Sequence, residues 1–188
     1  MVDDIFGNLH AGGNGQGGGP RPDRDALEAA LAGAALWGME LDPRFRVLAV
    51  TLEPTPERAG AWMRTDDRRI QLLCFPVSTI IGSLRRDGPD GRELLAFSEE
   101  QLVDVAATFG GVPVATPLFG RPEPRPGEWG PQFSLQGRSS APDGTGQTLT
   151  VSVTEGELSL DLFARFDDLE LKGPDGTDLP WPPSSPRR

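Results

Sequence analysis

Spacing of apolar residues divides the chain into two kinds of element. Near the N-terminus, Leu27, Ala30, Leu31 and Ala34 recur on one face of a helix, and Asp25 with Glu28 forms a capping pattern at its start. This predicts a helix from Asp23–Asp25 to about Trp37–Gly38. The next run, RFRVLAVTLEP from Arg44, is β-rich. Val47 and Ala49 face one way and Leu48, Val50 and Leu52 the other, so its middle should be covered on both sides. Arg69–Phe75 and Val77–Leu84 read as two strands, or as one strand bent at Pro76. Proline donates nothing to a ladder and belongs at a bulge or an edge. A turn at Asp87–Gly91 then returns the chain through ELLAF.

A second helix carries the strongest local signal. Ser98 is the expected N-cap and Gln101 sits at N3, while Phe97 can staple onto Leu102. Leu102, Val105, Ala106 and Phe109 form its buried stripe, and Gly110–Gly111 ends it. VPVATPLFG reads as a short strand, and residues 120–131, with four prolines, as a long irregular connection. The last third has the period of two. Phe133 and Leu135 alternate with polar residues, as do Leu149, Val151 and Val153. A two-residue turn at Glu155–Gly156 leads into Leu158, Leu160 and Leu162, and a short final strand runs through Leu169 and Leu171. Pro-Asp-Gly at 89–91, 142–144 and 174–176 forms turns, since proline presets φ and glycine supplies a positive one.

These elements predict an α+β fold: a single domain over 23–179, with two helices packed on a largely antiparallel sheet of six to eight strands, ending in a β-meander. Residues 1–22 read as a flexible glycine-rich tail and 180–188 as an extended proline-rich one. At 188 residues one domain is favoured, and 43 glycines and prolines put the total just under the level of wholesale disorder. The longest apolar stretch, Ile70–Leu84, is interrupted by Gln71, Pro76, Ser78 and Thr79, so no membrane span is expected.

Charge narrows the picture further. A net charge of −10 should repel nucleic acid. The imbalance is local: Glu40–Leu95 holds nine acidic and nine basic residues, whereas Thr150–Pro180 holds eight acidic residues against Arg165 and Lys172. That asymmetry points to a basic protein partner for the C-terminal part. Lys172 is the only lysine among 18 basic residues, a bias of GC-rich bacterial coding. MVDDIFGNLH lacks the positive charge and apolar run of a secretory signal, and one cysteine makes no internal disulfide, so a cytoplasmic location is expected.

Few groups are available for catalysis. Gly13, Gly15 and Gly18 fit G-x-G-x-x-G, but no strand leads into them. His10 is the only histidine and lies in the tail, which removes histidine triads and multi-histidine metal sites. Cys74, in an apolar strand, reads as a buried structural thiol, and Lys172 lies among carboxylates that keep it charged. The acidic pairs Asp66–Asp67 and Asp167–Asp168 could do general acid–base work or hold a divalent cation if brought together, but they read better as solvated turn residues. Arg68–Arg69 and Arg85–Arg86 could grip an anion or guard a sheet edge. No cofactor is expected.

One placement stands out. With Leu158, Leu160 and Leu162 in the core, Asp161, Phe163 and Arg165 fall on the opposite face, with Asp167, Asp168 and Glu170 beyond. An exposed aromatic ringed by charge has the composition of an interaction hot spot, unless the first helix or the proline-rich connection covers it. The expectation is a non-catalytic acidic interaction module of adaptor, inhibitor or immunity type, engaging a basic partner through its C-terminal meander. A small-molecule-binding domain and a carboxylate-dependent hydrolase or lyase are the alternatives.

Overall fold

The computed structural model describes residues 23–59, 67–89, 91–125, 127–130, 133–137 and 146–182. Elements follow in the order α1 (Arg24–Leu31), β1 (Ala35–Asp42), β2 (Val47–Glu53), α2 (Pro56–Ala59), β3 (Ile70–Gly88), β4 (Gly91–Leu95), a 3-10 turn (Glu99–Gln101), α3 (Leu102–Ala107), β5 (Phe133–Gln136), β6 (Gln147–Glu155) and β7 (Leu158–Lys172). The seven strands form one antiparallel sheet, with β1-β2-β3-β7-β6 as its continuous path and β4 and β5 also paired to β3. This is the α+β architecture expected, though its details differ.

β3 organises the sheet. One edge pairs with β7 from Gln71 to Arg86. The other is shared by β2 at Ile70–Cys74, β5 at Thr79–Gly82 and β4 at Leu84–Gly88. Arg69–Phe75 and Val77–Leu84 are therefore one strand, with a register shift between Val77 and Thr79, beside the cis bond at Phe75–Pro76. The shift carries into β7. Its core residues are Leu160, Leu162, Ala164 and Phe166, then Leu169 and Leu171, a step of three where the bulge passes. The expected short final strand is thus the continuation of β7.

Helix α1 stops six residues earlier than its spacing predicted. Ala34 N–H donates to Leu31 O at 2.9 Å, Gly33 turns at φ +77°, and the chain enters β1, an element the sequence did not reveal. Its N-cap is Asp23, whose carboxylate accepts from Ala26 N at 3.1 Å. Glu28 does no capping. Its carboxylate reaches the cis Thr116–Pro117 segment and accepts Leu118 N at 2.8 Å and Phe119 N at 3.0 Å. VPVATPLFG accordingly forms only isolated bridges, at Pro113 with β1 and at Phe119 with β6. The Ser98 signal holds: Ser98 N–H donates to Gln101 Oε1 at 2.9 Å, and Phe97 and Leu102 are both buried. The β6–β7 turn falls one residue later than expected, on Gly156–Glu157.

The main core lies on one face of the sheet. Leu48, Val50, Leu72, Ile80, Val151, Leu162 and Phe166 meet Leu27 and Leu31 of α1, Leu102 and Ala106 of α3, and Phe97, Phe109 and Leu118. Gly82 is tied to this packing, because a Cβ there would lie 2.3 Å from the Phe133 ring, which stands edge-on to Phe97. Val47, Ala49, Leu73 and Phe75 form a small second cluster. No helix among the described residues is long and apolar enough to cross a membrane.

Candidate functional site

The second face of β3, β7 and β6 carries Ser83, Ile81 and Thr79, then Asp161, Phe163 and Arg165, then Ser152, Thr150 and Thr148, in register. The alternation thus puts Phe163 opposite the main core, as the sequence implied. Its exposure is corrected by the structure: Phe163 is 0% exposed and Asp161 6%. The proline-rich connection, described at 120–125 and 127–130, is fastened across this face. Leaving the free edge of β6, where Thr150 N–H donates to Leu118 O and Gly120 N–H to Thr148 O, it crosses the face as a strap. Thr148 Oγ1 donates to Arg121 O at 3.0 Å, Arg165 pairs with Glu123 at 2.9 Å, and Ser83 Oγ donates to Trp129 O at 2.6 Å. Phe163 lies between the Arg165 and Ser83 fastenings.

The remaining residues of the expected hot spot are dispersed. Asp161 pairs with Arg85, whose Nε lies 3.9 Å from Asp87. Arg165 is half-buried under the strap, and Asp167 is half-buried with its carbonyl accepting Gln147 Nε2 at 3.3 Å. Of this set only Asp168 is exposed, and its carboxylate accepts the Leu169 amide at 2.8 Å. Glu170 binds Lys172 at 3.1 Å, and Asp178 holds the same ammonium. The hydrogen bond that Lys172 donates to Asp178, with that to Glu170, raises the Lys172 pKa against the opposing effect of burial. Much of the acidic meander is therefore engaged internally. Asp175 also bonds its own turn, accepting from Thr177 Oγ1 at 2.7 Å, and this hydrogen bond lowers its pKa.

The other candidates are accounted for similarly. Burial raises the Cys74 thiol pKa, so thiolate is disfavoured. Asp67 accepts from Arg69, and that side-chain hydrogen bond, reinforced by the Arg69 amide, lowers its pKa to about 2. Arg69 also stacks over Trp37, whose Nε1 donates to Glu53 at 2.7 Å, and Arg68 pairs with Glu53 at 3.1 Å. Arg86 pairs with Glu93 at 3.4 Å. Trp181 packs against the main core and Trp129 is half-buried in the strap. His10, Asp66, the tail glycines and the 142–144 turn lie outside the described residues. Among the described residues, no group of three or more His, Cys, Asp or Glu is placed to hold a metal ion.

What the sequence reading passed over is the outer side of α3. Val103 is 49% exposed, and Glu100, Asp104 and Ala107 are exposed around it, with Glu99 half-exposed one turn before. None of the three carboxylates pairs with a cation among the described residues. The signal was present: Val103 falls off the Leu102–Val105–Ala106–Phe109 stripe, and Glu100 and Asp104 are four apart on one helical face. In fold the protein is an α+β protein built on a seven-stranded antiparallel sheet. Compared with family models, curated proteins and solved structures, the chain matches none.

Proposed function

We propose that the protein is a non-catalytic acidic interaction module that engages a basic partner protein. One observation carries the reading: an exposed apolar side chain, Val103, stands with three carboxylates that pair with no cation among the described residues, Asp104 on the outer side of α3 and Glu99 and Glu100 in the 3-10 turn before it. Like charges four apart destabilise a helix slightly, and a cationic partner would turn that repulsion into attraction. The net charge of −10 adds long-range steering toward such a partner. On this reading α3 forms the centre of the contact, and of the meander set Asp168 is the residue left free to extend it.

The test is affinity capture with three baits: wild type, Glu100→Lys with Asp104→Lys, and Asp168→Lys. The expected result is a stoichiometric basic protein held by wild type at low salt, released at high salt, and lost with the α3 variant. Retention by the Asp168 variant would confine the contact to α3. Loss with Asp168→Lys but retention by the α3 variant would return the contact to the meander. Capture indifferent to salt and to both variants would contradict the reading.

A further inference from the structure

The strap is anchored at both ends and fastened lightly between them. Phe119 belongs to the main core and Phe133 packs against it. The described residues between the two, 120–125 and 127–130, contribute no side chain to either apolar cluster. Across the second face they are held through Arg121 O, the Glu123 carboxylate and Trp129 O. Pro122 and Pro124 have no N–H with which to add a bond. Glycines with positive φ stand at the two ends, Gly120 at +76° and Gly130 at +56°, where the backbone can change direction at low steric cost. The closed strap also coexists with unmet polar atoms. On the face it crosses, Thr150 Oγ1 and Arg85 Nε are buried without a hydrogen-bond partner, and Thr150 is 2% exposed. Water reaching these atoms in an open state would remove that cost.

We infer that the strap from Gly120 to Gly130 is a removable cover, which leaves the sheet as one unit while β3, β6 and β7 stay paired, and whose departure exposes Phe163 and Thr150. Opening gives up polar bonds, one of them the half-exposed Arg165–Glu123 pair, and no side chain of the apolar clusters. Its free-energy cost therefore lies below that of global unfolding. The aromatic surface on β7 is shut in the closed state and presented in the open one. This opening is independent of the partner reading at α3.

Thiol labelling under native conditions tests it, in the full chain carrying Thr150→Cys, a change of similar size. Cys74, fully buried in the main core, is the internal reference for global unfolding. The thiol at position 150 should label at least about a hundredfold faster than Cys74. Urea below the unfolding transition should speed Cys74 steeply and position 150 little, since strap opening exposes little surface. Ser83→Ala, which removes the Trp129 fastening, should speed position 150 about fivefold. Equal rates and equal urea dependence at the two thiols would mean that the strap leaves only when the whole protein unfolds, and would overturn the inference. So would fast labelling that Ser83→Ala does not change, because the opening unit would then lie elsewhere. Should Thr150→Cys not fold, seen as immediate labelling of Cys74, wild-type amide exchange decides on the same terms. Gly120, whose N–H donates to Thr148 O, should then exchange with a shallow urea dependence and the β7 amides from Leu160 to Ala164 with a steep one. A common dependence would overturn the inference.

Discussion

The two faces of the sheet are both covered, by different physical means. One is packed by α1, α3 and the segment that follows α3, joined through a continuous apolar cluster from Leu27 to Leu171. The other, over β3 and β7, is crossed by a strap without regular structure, fastened by Thr148, Arg165 and Ser83. The first cover is written in the chain as helical and alternating periods. The second is written in polar residues, which at single-sequence level look like residues meeting water. A strand position carrying Ser, Thr, Asp or Arg can thus lie beneath another segment, provided its polar atoms find partners there.

Deleting bulk from the helix-covered face should have the largest effect. Phe166→Ala should cost about 3–5 kcal/mol, because α1, α3 and the strands beneath relax only partly around the void. A urea melt with unchanged m-value checks this. Next comes the polar pair of the strap-covered face. Asp161→Ala leaves the Arg85 guanidinium without its main partner; Arg85 keeps about one-fifth of its side chain in water, so a loss of about 2–3 kcal/mol is expected. The double change Arg85→Leu with Asp161→Leu should recover much of that, and failure to recover would place the penalty in packing instead.

A smaller effect arises from Cys74, whose folded-state pKa is raised by burial. The folded protein holds this proton more tightly than the unfolded chain, so its contribution is complete below the unfolded thiol value of about 8.5 and is lost as pH rises above it. The slope is roughly 1.4 kcal/mol per pH unit, and Cys74→Ala should flatten that part of the stability–pH curve. The strap fastenings come last. Ser83→Ala should cost about 1 kcal/mol and Glu123→Ala under about 1 kcal/mol, with faster amide hydrogen exchange at Trp129 and Gly130 in the first. Unchanged exchange in Ser83→Ala would mean that apolar contact, rather than the hydrogen bond, holds that end of the strap.

Particular residues show how far the fold was legible. The α+β class followed from clean local periods, and the Ser98–Gln101 cap was readable because it depends on residues three apart. β1 was not, since Ala34 and Leu36 continue a helical apolar pattern and only pairing with β2 and Val112 makes Leu36 strand. β7 looked like two strands because the bulge at Val77–Thr79 shifts its apolar period between Phe166 and Leu169. The burial of Phe163 was not legible for a related reason. Whether Phe163 meets water depends on where residues 121–130 travel, and their composition specifies irregularity without direction. The acidic residues counted over Thr150–Pro180 likewise find Arg85 and Lys172 only once the strands are paired.

The most direct test of the two-sided cover is equilibrium denaturation of Phe163→Ala against wild type. A buried phenylalanine beneath the strap predicts a loss of about 2–4 kcal/mol, somewhat less than for Phe166→Ala because an irregular strap can settle into the space. A loss below about 0.5 kcal/mol, the range of surface substitutions, would mean that Phe163 faces solvent. The second face would then be open, and the acidic meander rather than α3 would be the surface to examine for a partner.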